Sequence, residues 1–230
     1  MTMEFWIALL EIIMVNIVLS GDNAVVIAMA ARNLPESKQK LAILYGGAFA
    51  IILRIVLTVV AVELLKISFL QFVGGLLLLW IAVKLLIDEE GDDAGHHAHD
   101  TLSAAVKTIL VADLVMSLDN TLAIAALAKS DWTLLILGLL LSIPIIMLGS
   151  ALIIKLINRY PIIIYIGAGL IAYTAGKMIV ADQAILPYLP KLLVGNEYLA
   201  VILTVSVTAY GWMHKKREAG LLENTAAADE

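Results

Sequence analysis

An all-α, polytopic membrane fold is what this sequence predicts, on three observations. Of its 230 residues, 62% are hydrophobic and only 15% charged, where soluble domains have about half and about a quarter, and the mean hydropathy is +0.98. The apolar residues fall in long unbroken runs, each near the ~20 residues that a helix needs to cross ~30 Å of hydrocarbon. Short polar breaks such as Arg32–Lys38 and Asn158–Pro161 separate the runs. The chain has no cysteine, which removes disulfides, thiolate nucleophiles and cysteine-based metal sites. Its formal charge of −5 leaves no basic footprint for nucleic acid.

Seven spans follow in order. Span 1 covers residues 4–31; Glu4 and Glu11 stand where a cleaved signal would carry basic residues, so the span is expected to be retained. Span 2 (41–64) follows the turn through Pro35 and ends in the Glu63–Ser68 break. Span 3 (68–87) is closed by the tract Asp88–Asp100, and span 4 (104–128) by Lys129-Ser130-Asp131. Span 5 (132–155) contains Pro144, which is expected to kink or break it. Pro161 opens span 6 (161–181) as a first-turn proline. Span 7 (197–214) follows a loop with Pro187 and Pro190, and residues 215–230 form a polar, disordered tail. Residues 1–214 thus read as a single transmembrane domain.

With the N-terminus outside and the C-terminus inside, Arg32, Lys38, Lys40, Lys155, Arg159, Lys215, Lys216 and Arg217 are cytoplasmic. Lys66, Lys129 and Lys191 lie in outer loops. This asymmetry satisfies the positive-inside rule, and Trp6, Trp80, Trp132 and Trp212 fall near the expected interfaces.

An internal repeat is the most informative feature. Leu19-Ser20-Gly21-Asp22-Asn23 in span 1 parallels Met116-Ser117-Leu118-Asp119-Asn120 in span 4. The match extends to Gly46 and Gly47 against Gly138, to Gly74 against Gly167, and to Lys84 against Lys177. Residues of about 4–87 form the first unit, 88–103 a cytoplasmic acidic and histidine-bearing loop, about 104–181 the second unit, and span 7 is an addition. Two units of three helices must lie in opposite orientations, as in secondary transporters with a site at the midplane.

An aspartate in mid-span costs at least about 2.5–3.5 kcal/mol and persists only with a partner, a cavity or a ligand. Asp22 and Asp119 lie roughly 8 and 5 Å past the centres of their spans at a 1.5 Å rise. In opposed helices they bracket the midplane. Asn16, Ser20 and Asn23 form a stripe on one helix face, repeated by Asp113, Ser117 and Asn120. The aspartates lie about 100° round from that stripe in a regular helix, and local unwinding at Gly21 brings both sets to one cavity. Glu11 extends the polar path outward.

Such carboxylate, amide and hydroxyl oxygens suit hard divalent ions. Met116 and Met29 are candidate thioether ligands that favour Mn²⁺, or else ordinary packing. Arg54, mid-span, is expected to pair with one of the aspartates, either releasing it when metal loads or as a fixed ion pair. The Asp88–Asp100 tract reads as a solvated linker or as a collector of divalent ions.

These paired motifs and seven spans resemble the TerC family of integral membrane proteins, more closely its YjbE-type branch, which is similar to the LysE-type exporters in its inverted repeats. The resemblance covers nearly the whole chain. It implies residence in a bacterial cytoplasmic membrane and metal-ion homeostasis, with manganese as the exported ion, Asp22 and Asp119 as the motif acids, and Asn23 and Asn120 beside them. On this reading the chain is not an enzyme, holds no permanent cofactor, and has divalent metal and the lipid bilayer as partners, with homo-oligomerisation open. The absence of any P-loop makes transport secondary. The alternative is a membrane scaffold in a tellurium or metal-stress resistance complex.

Overall fold

A computed structural model of the chain describes the backbone of residues 3–64, 67–87, 101–128, 131–190, 192–193 and 197–226. It describes their side chains except at 4, 61–63, 119, 121–128, 143 and 218–226. The tract from 88 to 100 lies outside the described residues, as do Lys66, Lys129 and Lys191.

The described residues form eight α-helices and one 3-10 turn, with no strand among them: α1 (Met3–Leu19), α2 (Gly21–Ala31), α3 (Glu36–Leu64), α4 (Leu70–Ile87), α5 (Leu102–Ala128), α6 (Trp132–Arg159), α7 (Ile162–Ala181), the turn Leu186–Tyr188, and α8 (Tyr198–Ala226). Four of them, α3, α4, α6 and α7, are long and apolar enough to cross a membrane, and the bent pair α1 and α2 makes a fifth if taken as one span. Three boundaries differ from expectation. Span 1 is two helices inclined by 49°. Pro144 does not break α6, which is helical from Trp132 to Arg159; buried neighbours at Leu139, Ser142 and Ile146 hold the turn whose backbone bond proline removes. The last helix continues past His214 to Ala226, where Lys, Arg, Glu, Ala and Leu favour helix despite their polarity.

Packing pairs the two repeat units crosswise. The second helix of each unit lies on the first of the other, α3 on α5 and α6 on α1 and α2, while the third helices α4 and α7 pack on each other and α8 covers α7. Equivalent residues make equivalent contacts. Ile109 of α5 fills the space a side chain would need at Gly46, and Ile12 of α1 does so at Gly138. Lys84 stands 4.7 Å from the Trp80 ring and Lys177 5.8 Å from that of Tyr173, matched pairs at the ends of α4 and α7. Lipid offers no hydrophobic drive for one helix to seek another, so small residues that let backbones approach supply the contact. On α7 these are Gly167, Ala168, Ala172, Ala175 and Gly176, all buried. Trp6, Trp80, Trp132 and Trp212 are all more than half exposed, as aromatic side chains facing lipid are.

Asp182, buried at the carboxyl end of α7, accepts the Phe72 N–H at 3.0 Å and the Ala184 N–H at 2.9 Å. It satisfies an otherwise orphaned donor in the first turn of α4 and ties α4 to α7.

A methyl group at Gly176 would collide with the backbone of Ala200, whereas one at Gly21 meets nothing within 4 Å. Gly176→Ala is therefore expected to lower unfolding stability in detergent by about 1–3 kcal/mol, the usual cost of overpacking. Gly21→Ala should leave stability within ~0.5 kcal/mol of wild type, as open positions do. Thermal or denaturant unfolding of the two variants side by side checks this.

Candidate functional site

The polar motif residues gather where α1 gives way to α2. Ser20 there has φ −108° and ψ 11°. In a continuous helix the Asn23 N–H would donate to the Leu19 carbonyl. It donates instead to Asp22 Oδ1 at 2.9 Å, and the Leu19 carbonyl accepts Asn120 Nδ2 of α5 at 2.9 Å. One motif aspartate and the opposite motif asparagine thus hold the break from its two sides. Asp22 falls in the first turn of α2, where exposed N–H groups favour a carboxylate, and its Oδ2 accepts the Thr174 hydroxyl of α7 at 3.3 Å.

Beside the break, Arg54 of α3 is buried to 4% exposure and its guanidinium reaches both repeat units. Nη1 donates to Asn16 Oδ1 at 2.9 Å and to Ser20 Oγ at 2.7 Å. From the other side, Nε donates to Ser117 Oγ at 3.1 Å and Nη2 to Asp113 Oδ1 at 2.5 Å, an ion pair. One cation therefore binds the same two rungs of both stripes. Asn16 Nδ2 donates to Ser142 Oγ of α6, and Asn23 Nδ2 donates to Asp113 Oδ1 at 2.8 Å. Charge-assisted bonds of this kind are about twice as strong as neutral ones, and their desolvated setting makes each partner costly to lose.

A cavity of about 20 Å³ adjoins the cluster, lined by Asn23, Ala50, Arg54, Asp113 and Met147 among others. Asp113 Oδ2 and Asn23 Oδ1 are buried and have no hydrogen-bond partner among the described residues. A larger cavity of about 290 Å³ lies at the ends of α2 and α6. Arg32 and Lys215 line it, and their charge makes it unsuitable for a cation.

Among the expected site residues, Asn16, Ser20, Asn23, Arg54, Asp113 and Ser117 converge in one buried network, and Asn120 joins it at the break. Arg54 takes Asp113 as its carboxylate. Asp22 sits half-buried at the edge. Asp119 belongs to α5, but its side chain lies outside the described ones. Glu11 is exposed on α1 rather than joined to the cluster. Met116 is buried in the main apolar core, and the Met29 sulfur packs against Gly167. Among the described residues no three of His, Asp, Glu or Cys stand together as a metal cluster; the donors are mixed carboxylate, amide and hydroxyl oxygens. Ser142, Thr174 and Met147 were not singled out by the sequence, since a lone hydroxyl or thioether in an apolar helix carries no pattern of its own.

The model of the integral membrane protein TerC family matches residues 1–219. The chain is 45% identical to the protein named uncharacterized membrane protein YjbE of Bacillus subtilis, over 78% of this chain and 82% of that one. It is 30% identical to Bacillus subtilis YceF, likewise named an uncharacterized membrane protein, over 59% and 56% of the two chains. To the inner membrane protein YgdQ of Escherichia coli it is 22% identical over 92% of this chain and 94% of that one. No solved structure matches the chain significantly.

Replacing Arg54 by methionine leaves Asp113 buried without its counter-charge and is expected to destabilise the protein by about 3–5 kcal/mol. Adding Asp113→Leu removes the stranded carboxylate, so the double variant should recover a large part of that loss. Unfolding of both in detergent reads the difference; a double variant no more stable than Arg54→Met would show that the charge pair is not the source.

Proposed function

The chain belongs to the TerC family of integral membrane proteins, and we propose that it is a secondary transporter of divalent metal ions that exports manganese by alternating access. The observation that carries this reading is a charge balance. Asp22, Asp113 and Asp119 place three formal negative charges on α2 and α5, and Arg54, bonded to Asp113, offsets one. Two remain. Intramembrane charge persists only when neutralised, and a single divalent cation supplies the missing two. The oxygen donors that converge there suit a hard ion, and Mn²⁺ in particular follows from the family resemblance.

In this reading the bent pair α1 and α2 forms one span and α3 to α8 six more; length and apolarity by themselves single out α3, α4, α6, α7 and that pair. Crosswise packing of equivalent helices supports two inverted units with α8 added, and the distribution of Lys and Arg supports an outside N-terminus. The name of the Escherichia coli relative, an inner membrane protein, supports the cytoplasmic membrane as the location. No nucleotide motif is present, so the ion gradient itself or a coupled ion drives movement, with the two halves rocking about the cluster. In this reading the chain transports rather than catalyses, its buried groups serving as ligands and a counter-charge.

Purified chain in liposomes carrying a manganese-sensitive dye tests this directly. Wild type should move Mn²⁺, while Asp22→Asn and Asp119→Asn, each removing one of the balancing charges at nearly constant volume, should lose about tenfold or more of the flux, as ligand-sphere changes do. Undiminished flux in both variants would overturn the site assignment.

A further inference from the structure

The cavity of about 290 Å³ at the ends of α2 and α6 has no part in the cluster around Arg54. Arg32 and Asn33 reach it from the end of α2, Asn158 from the end of α6, Pro161 from the start of α7, and Lys215 from α8. Its lining thus carries two cationic side chains and two amides, and no carboxylate among the described residues. Arg32 is only 9% exposed. The turn that carries it is braced by Gln39, which donates to the Arg32 and Leu34 carbonyls at 3.0 and 2.8 Å. As the residue that closes α2, Arg32 complements a helix carboxyl end. Lys215 has no such role, because it lies inside α8, yet it is brought to the same cavity. Like charges at one cavity repel, and an anion between them turns that repulsion into attraction. The amino end of α7 opens here too, where first-turn N–H groups favour an anion.

We propose that this cavity binds a phosphate group at the membrane surface, such as that of an anionic phospholipid, with the Arg32 guanidinium and Lys215 ammonium as counter-charges and the Asn33 and Asn158 amides as further donors. The inference does not rest on the transport reading. Tyr160 and Trp212, 52% and 60% exposed, stand close in sequence to Pro161 and Lys215, and each has a cation near its ring, Arg159 at 5.7 Å and Lys216 at 5.5 Å. Amphipathic rings of this kind settle at headgroup level, which sets the cavity at the depth of lipid phosphates. Basic pockets between membrane helices hold such headgroups, and a guanidinium matches phosphate geometry through paired donors. The volume lies at the lower bound of small-molecule sites, roughly 300 Å³, which suits one headgroup rather than a large solute.

Unfolding of the purified chain in neutral detergent, titrated with phosphatidylglycerol or phosphatidylcholine, tests this, since a ligand that binds the folded chain raises the unfolding temperature. About 1 M sodium chloride removes diffuse surface attraction, which it screens within ~3 Å. Phosphatidylglycerol should then stabilise wild type beyond phosphatidylcholine. Lys215→Gln and Arg32→Gln should each raise the half-saturating amount about tenfold, the loss of one charge-assisted bond. Lys216→Gln, the same charge change on an exposed neighbour outside the lining, should stay within about twofold, as exposed pairs do. Inorganic phosphate exchanged for chloride at constant ionic strength separates the sources: protection that depends on Lys215 identifies soluble phosphate as an occupant, and protection by the lipid alone identifies the headgroup. Equal weakening by Lys215→Gln and Lys216→Gln, or no protection by either phosphate source, overturns the site. If Arg32→Gln does not fold, the comparison of Lys215→Gln with Lys216→Gln decides the matter alone.

Discussion

A guanidinium in the middle of a membrane helix cannot be left to find water, and the arrangement around Arg54 follows from that constraint. The effective cost of burying such an ion is several kcal/mol even after relaxation. It is offset only if the donors are met with good geometry. Arg54 meets acceptors from α1, from the break after it and from α5, so three stretches of chain are fixed in register by one side chain. Thr58, one turn later in α3, bonds back to the Arg54 carbonyl at 2.7 Å and thereby satisfies its own hydroxyl inside the helix.

The same constraint explains the break in the first span. A straight helix from Met3 to Ala31 would place Asp22 about 120° from Asn16 and about 160° from Ser20, on the far side of the helix. Ending α1 at Leu19 and starting α2 at Gly21 keeps Asn16 and Ser20 on the guanidinium, puts Asp22 at the amino end of a helix, and directs Asn23 to Asp113. The carbonyl freed at Leu19 is met by Asn120. Backbone irregularity at membrane depth is tolerated where protein groups replace the lost bonds, and here the motif residues themselves do so.

Much of this was legible in the sequence because helical periodicity and the repeat act together. The stripes Asn16-Ser20-Asn23 and Asp113-Ser117-Asn120 are regular patterns, and the structure brings the first two rungs of each onto Arg54. The break was foreshadowed by Gly21, but neither its angle nor the exchange of bonds across it has a sequence signature. At Pro144 propensity allows a break, but α6 is helical from Trp132 to Arg159, its one buried face at Leu139, Ser142 and Ile146 holding the turn that loses a hydrogen bond. The choice of Asp113 over Asp22 as the partner of Arg54 depended on how α3 lies against α5. The extension of α8 past His214 was hidden because low hydropathy is a measure of lipid burial and not of helix formation.

The repeat supplies the matched acids Asp22 and Asp119; the departures from it supply the buried ion pair. Counted from the matched glycines, the position equivalent to Arg54 is Ile146, and the partner of Asp113 is Asn16. The charged pair therefore belongs to one side of the cluster, while the other is neutral. Under the proposed transport, an exchange of conformation between the halves, which is how inverted repeats move a site from one face of the membrane to the other, would be symmetric for the backbone but not for these charges. Arg54 travels with α3 and Asp113 with α5, so their 2.5 Å contact persists only if those two helices move as one body. The close seating of Ile109 at Gly46 holds that same helix pair, and Ile12 at Gly138 seats α1 on α6 in the same way, so the two helix pairs differ in what bridges them, an ion pair on one side and the neutral Asn16 and Ser142 bond on the other, and not in how closely they pack.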